Sequence, residues 1–189
     1  MSRDCIKDIV RRAKAGDPSL IAVDSISVCQ YTDAELAEFV DCLLVRPNLV
    51  ARLHLNVNKL TDETGVKVAR CLASSSSVKK LNLAYNRVGL PTYLAIAVAL
   101  RTNSSMEILR LYANRVIDKI HVDAAFIKAL RLNPHRPADS KWCLYSFIEN
   151  EFPRLSAIAA LLGPVSMLEQ LRECDRTRKY MSLKKNIPQ

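Results

Sequence analysis

Three asparagines, Asn58, Asn86 and Asn114, stand 28 residues apart, and each closes the same frame of apolar positions. The frame reads Val50-x-x-Leu53-x-Leu55-x-x-Asn58-x-Leu60, then Val78-x-x-Leu81-x-Leu83-x-x-Asn86-x-Val88, then Met106-x-x-Leu109-x-Leu111-x-x-Asn114-x-Val116. A chain that repeats its buried positions at a fixed period must build like units and stack them, because one unit alone leaves its apolar face bare. Within a unit, the alternation at Leu53 and Leu55 makes a short strand with one buried face. The Asn then turns the chain off the strand, its amide serving backbone groups that the turn would otherwise bury without partners.

Between each Asn and the next strand lies a helical pattern. TDETGVKVARCLA places Val66, Ala69, Cys71 and Leu72 inward, and PTYLAIAVALRTN does the same with Leu94, Ile96, Ala97 and Leu100. Thr61 or Asp62 can cap the first of these helices, and Pro91 suits the first turn of the second. Strand, turn and helix in 28 residues is the leucine-rich-repeat pattern of the ribonuclease-inhibitor type. The fold class it predicts is α/β: a short curved solenoid with a parallel sheet on the concave side and helices outside.

The remaining segments fit that frame. Residues 50–77, 78–105 and 106–133 are the regular coils. Residues 20–49 are a degenerate coil with strand residues Val23, Ile26 and Val28 and no Asn, only Gln30 or Tyr31 nearby. Its Asp33, Cys42 and Leu43 precede Asp62, Cys71 and Leu72 by 29 residues. In the third coil Ala129 to Asn133 echo Ala99 to Asn103 at an offset of 30, after a two-residue insertion. Residues 1–16 are read as an N-terminal capping helix ended by Gly16, with Cys5, Ile6, Ile9 and Val10 inward. Residues 140–152 hold a last, aromatic-rich strand in KWCLYSF, and 153–189 a helical cap and basic tail. The expectation is one domain, 1–189, with helices closing both ends.

A hydrophobic content of 49% suffices for a core, while no segment is long and apolar enough to span a membrane. The charged N-terminal helix is no signal peptide, so a cytoplasmic protein, able to associate with the cytoskeleton, is expected. Cys5, Cys29, Cys42, Cys71, Cys143 and Cys174 are dispersed and read as reduced thiols, and the sequon Asn103-Ser104-Ser105 as accidental. Four glycines form no phosphate loop and no dinucleotide fingerprint. His54, His121 and His135 have no partners at catalytic or metal-ligand spacing. No enzyme activity, cofactor or metal is expected.

Function then rests on surface. Residues interleaved with the strand leucines point to the concave side: Arg52, His54 and Asn56, Lys80 and Asn82, Arg110 and Tyr112. Cations, amides and a tyrosine suit a protein partner with an acidic surface. The net charge is +9, and Lys and Arg cluster in the first helix and in the last, at Arg172, Arg176, Arg178 and Lys179. A scaffold or structural component of a cytoskeletal or other large assembly follows. The alternative, a basic subunit of a ribonucleoprotein complex, is disfavoured by an aromatic content of 6% and the lack of a nucleic-acid motif.

One family combines these features. The entry GDPSLIAV (Gly16 to Val23), a first coil without Asn, a few long coils, the strand KWCLYSF and a basic terminal helix resemble the C-terminal domain of tropomodulin and leiomodin. The resemblance implies actin binding through the repeat surface and the terminal helix, and so a role for Arg172, Arg176, Arg178 and Lys179.

Overall fold

Five short strands lie parallel in one sheet, in chain order β1 to β5: Ala22–Val23, Arg52–His54, Lys80–Asn82, Ile108–Arg110 and Lys141–Cys143. Five helices accompany them: α1 Asp4–Ala15, α2 Asp33–Val45, α3 Asp62–Ser74, α4 Leu90–Ala99 and α5 Lys119–Leu132. The chain divides into two units, Met1–Tyr145 and Ser146–Gln189. This computed structural model describes residues 4–23, 31–116, 118–133 and 141–143, all of them in the first unit. Ile26 and Val28, the segments after Cys143 and the basic terminal helix lie outside the described residues.

The repeat sets the register. Leu53 pairs with Leu81 and Leu81 with Leu109, and the irregular ends obey the same rule, Val23 pairing with Leu53 and Trp142 with Leu109. Every apolar position of the frame except the half-buried Val116 is buried: Val50, Leu53, Leu55, Leu60, Val78, Leu81, Leu83, Val88, Met106, Leu109 and Leu111. Each buried leucine is worth roughly 1.5–3 kcal/mol relative to exposure. Leu36, Phe39 and Leu43 from α2, Val68, Ala69 and Leu72 from α3, Ile96 and Ala97 from α4, and Val122, Phe126 and Ala129 from α5 meet them in one core.

The inward faces of α3 and α4 differ from expectation by one position. Val66 and Leu94 are half-buried, while Thr64, Val68, Thr92 and Tyr93 are enclosed. The cause is close helix packing. Gly65 of α3 faces Thr92 of α4 so tightly that a Cβ there would stand 2.3 Å from Thr92 Oγ1. Pro91 does sit in the first turn of α4.

Each coil turns at a strained residue, with Val57, Tyr85 and Ala113 at φ of 58°, 56° and 57°. Left-handed backbone is unfavourable for side chains with a Cβ, Val above all, at about 1–3 kcal/mol each. The following Asn holds the turn. Asn86 Nδ2 donates to Leu83 O at 3.0 Å in its own coil and to Leu55 O at 2.9 Å in the coil before, and Leu60 N–H donates to Asn86 Oδ1 at 3.1 Å. Asn114 repeats this one coil later, on Leu111 O, Leu83 O and Val88 N–H. Asn58 accepts from Tyr31 N–H at 2.8 Å. Tyr31 therefore occupies the place of Leu60 and Val88. Lys59 N–H donates to its carbonyl as Arg87 and Arg115 do to those two residues.

α1 ends as anticipated at Gly16, φ 67°, where Gly16 N–H donates to Ala13 O and Asp17 N–H to Arg12 O. That pair of bonds is the Schellman closure, which favours glycine. Ile6, Ile9, Val10 and Ala13 are buried, and α1 packs along α2.

Candidate protein-binding surface

The sheet face opposite the helices is built by alternation. With Leu53, Leu81 and Leu109 inward, their flanking residues face away from the core. Strand register then sets them in rows: Arg52 beside Lys80 beside Ile108, and His54 beside Asn82 beside Arg110. Arg52 and Arg110 are exposed, and His54, Asn56, Lys80 and Tyr112 are half-buried.

Asn82 differs from the others. It is 8% exposed, its Nδ2 donates to Asn56 Oδ1 at 3.2 Å, and its Oδ1 accepts from Ala84 N–H at 3.1 Å. Its amide links two coils. Tyr112 meets Tyr85 edge to face, ring centroids 5.5 Å apart and planes at 83°. The sheet therefore sets Arg52 beside Lys80 and Asn82 between His54 and Arg110, with Asn56 bonded to Asn82 and Tyr112 following in the same coil as Arg110. Arg172, Arg176, Arg178 and Lys179 lie outside the described residues.

Positive charge is distributed differently from the sequence expectation. Residues 1–41 carry five Lys and Arg against eight acids, whereas residues 42–117 carry eleven against three. Three of the four cations of α1 are also paired: Arg11 with Asp8 at 2.5 Å, Arg12 with Asp17 and Lys14 with Glu38 at 2.7 Å. Ser19 and Arg12 together hold the Asp17 carboxyl down at about 2. Within the repeats, Lys67 pairs with Asp41 and Lys79 with Glu107. Lys59, Lys80, Arg87, Arg110 and Arg115 make no ion pair or side-chain hydrogen bond with a described residue. The N-terminal helix thus loses its place as a basic cluster, and the repeats gain it.

Two further ladders position this surface, and neither was anticipated. Asp62 does not cap its own helix. Its Oδ1 accepts from Gly89 N–H at 2.8 Å, Thr92 N–H at 3.2 Å and Thr92 Oγ1 at 2.6 Å, all in the next coil. Asp33 does the same for Thr61 N–H at 2.6 Å. At the far ends of the helices, Asn103 Nδ2 donates to Leu72 O and Ser75 O, and Asn133 Nδ2 to Leu100 O and Asn103 O. Asn103 is 4% exposed, so both amide hydrogens of the sequon are committed inside the fold.

No three His, Cys, Asp or Glu side chains converge on a metal-sized site among the described residues. A groove of about 620 Å³ between α1 and α2 is lined by Ile6, Val10, Lys7, Lys14, Glu35 and Glu38. Its carboxylates are engaged, Glu35 in the capping box with Thr32 and Glu38 with Lys14. Cys71 donates to Val40 O, and burial pushes its thiol up to about 12.

Parallel strands in 28-residue register, an Asn at each turn and a helix after it define a leucine-rich-repeat fold. No family model matches the chain, and no curated protein matches it by sequence. Solved structures share its fold, a leiomodin and a tropomodulin domain among them. Leiomodin-1 actin-binding site 2 is 20% identical, covers 99% of both chains and superposes with a TM-score of 0.64. The tropomodulin C-terminal domain of Caenorhabditis elegans is 13% identical over 93% of this chain and 98% of that one, with a TM-score of 0.59. At these identities the likeness is one of fold, and the resemblance noted in the sequence holds at that level.

Proposed function

We propose that the chain is a non-enzymatic protein-binding module of the actin-binding kind, serving as a structural component of a cytoskeletal assembly in the cytoplasm. The supporting observation is end-to-end likeness of fold to a domain described as an actin-binding site, over 99% of both chains. On this reading residues 1–189 work as one domain, a curved solenoid closed by α1 and by a C-terminal helix. The strand face offers Arg52, Lys80 and Arg110, with His54, Asn56 and Tyr112 between them, to an acidic protein surface. Asn82 supports that face from within. The basic helix at Arg172, Arg176, Arg178 and Lys179 supplies a second contact.

Co-sedimentation with actin filaments tests this. The wild type is expected to pellet with filaments. Arg52→Ala/Lys80→Ala/Arg110→Ala and Arg176→Glu/Arg178→Glu are each expected to pellet less at equal folded concentration. A wild type that stays in the supernatant overturns the reading. A variant that pellets as well as the wild type removes the surface it alters.

A further inference from the structure

The edge where each regular coil leaves its strand carries one cation per coil: Lys59, Arg87 and Arg115, in each case the residue after the coil asparagine. All three are exposed. Their backbones are successive rungs, since Lys59 N–H donates to Tyr31 O, Arg87 N–H to Leu60 O and Arg115 N–H to Val88 O at 3.0, 2.9 and 2.9 Å. The column thus crosses the coils at strand spacing, about 5 Å per step.

Like charges held that close repel one another, and nothing inside the described residues relieves them. None of the three makes an ion pair or side-chain hydrogen bond there. Most acids of the neighbouring coils are committed elsewhere, Asp33 and Asp62 to backbone N–H groups of the next coil, Asp41 to Lys67 and Glu107 to Lys79, and the exposed Glu63 of α3 pairs with none of the three. Among the described residues a second copy offers few free anions, because Asp8, Asp17 and Glu38 are paired as well. Two residues before Arg87, Tyr85 stands 52% exposed and is braced edge-on by Tyr112.

We infer that this turn edge binds an extended acidic segment of a partner protein, its carboxylates following Lys59, Arg87 and Arg115 while an apolar side chain covers Tyr85. Guanidinium groups take carboxylates in bidentate fashion, and an exposed tyrosine flanked by arginine is an interface anchor. Single-stranded nucleic acid fits less well, because successive bases need successive aromatic faces and the edge has one exposed ring, engaged with Tyr112. The site is separate from the strand-face row of Arg52 and Lys80. It shares with the reading above the acidic protein partner and Tyr112, which here braces Tyr85.

Fluorescence anisotropy with a labelled oligoglutamate peptide and a labelled oligouridylate of equal charge tests it. Four proteins are compared: the full wild-type chain, Arg87→Gln/Arg115→Gln, the charge-keeping Arg87→Lys/Arg115→Lys, and the control Arg70→Gln/Lys128→Gln. The control removes two exposed cations from helix faces. The Gln edge pair is expected to weaken peptide binding about tenfold, the Lys pair, which keeps the charge but loses the guanidinium fork, about threefold to fivefold, and the control less than about twofold. Equal losses from the Gln edge pair and the control overturn the site, since net charge alone then explains binding. Tighter binding of the oligouridylate, or no binding of the peptide by the wild type, overturns the acidic-protein assignment. An edge-specific peptide effect without actin pelleting leaves this site standing and removes the actin reading. Pelleting lost in the strand-face variant, with no edge effect, does the reverse.

Discussion

Asn86 Nδ2 donates at 2.9 Å to the carbonyl of Leu55, a residue of the coil before its own. That single bond turns a local turn signal into a tie between units. The same amide bonds Leu83 O at 3.0 Å, and its oxygen takes Leu60 N–H at 3.1 Å. Sharing one side chain among three buried backbone groups is what allows Tyr85, one residue earlier, to sit at φ 56°. Stacking and turning are therefore solved by the same residue, which is why the asparagines recur with the leucines.

Removing that amide leaves Leu60 N–H buried without a partner and takes one of two side-chain donors from each of Leu55 O and Leu83 O, which keep Asn58 and Asn114. Asn86→Ala is expected to lower stability by about 3 kcal/mol, at roughly 1–3 kcal/mol for an unsatisfied buried group. Asn56→Ala, at a half-buried position with one side-chain bond to Asn82, is expected to cost less than about 1 kcal/mol. Urea unfolding of the two variants measures both. Equal losses would mean that the inter-coil ladder has no special weight.

Gly65 offers a test of sign. An exposed helical Gly→Ala change stabilises by about 1 kcal/mol. Here the new Cβ would meet Thr92 Oγ1 at 2.3 Å and Cγ2 at 2.8 Å, and Thr92 is fully buried and bound to Asp62. Gly65→Ala is expected to destabilise by about 1–3 kcal/mol through overpacking. Combining it with Thr92→Ala should then cost less than the sum of the single changes. Additive effects in thermal melts would show that the helices part without strain.

The apolar frame was legible because burial follows the period, and nearly every frame position in 50–116 is enclosed. The ladders at Asp33/Asp62 and Asn103/Asn133 were visible only as echoes at offsets of 29 and 30. A carboxylate in the first turn ordinarily serves its own helix. Close stacking instead brings the next coil's amides nearer, which no local rule contains. Thr32-x-x-Glu35 was a readable capping box that went unused. The expectation of a basic first helix rests on its cations alone, and the acids that pair with them come from the fold. Counted together, Asp8, Asp17 and Glu38 cancel much of α1 and leave the repeats as the basic part of the described fold.

Thiol chemistry separates Cys42 from Cys71. Cys71 is buried and its thiol is pushed up to about 12, while Cys42 is half-buried and raised mainly by burial. Since only the thiolate is nucleophilic, native protein treated with iodoacetamide at pH 8 should carry label on Cys42 well before Cys71. Cys71 should react only once urea is added. Peptide mass spectrometry reads the order, and early labelling of Cys71 would show that α3 opens locally.

The acid limb of stability has a local contributor at Asp17. Hydrogen bonds from Ser19, together with Arg12, hold its carboxyl at about 2 against an ordinary value of 3.8. A group depressed on folding stabilises fully above its unfolded value and loses that contribution as pH falls through the folded one. Asp17→Ala is therefore expected to melt below the wild type at pH 7. The gap should hold down to about pH 4 and close by about pH 2. Thermal melts of both proteins across that range check the sign. A gap that persists below pH 2 would assign the loss to packing at the Gly16 turn, with the carboxylate's charge playing no part.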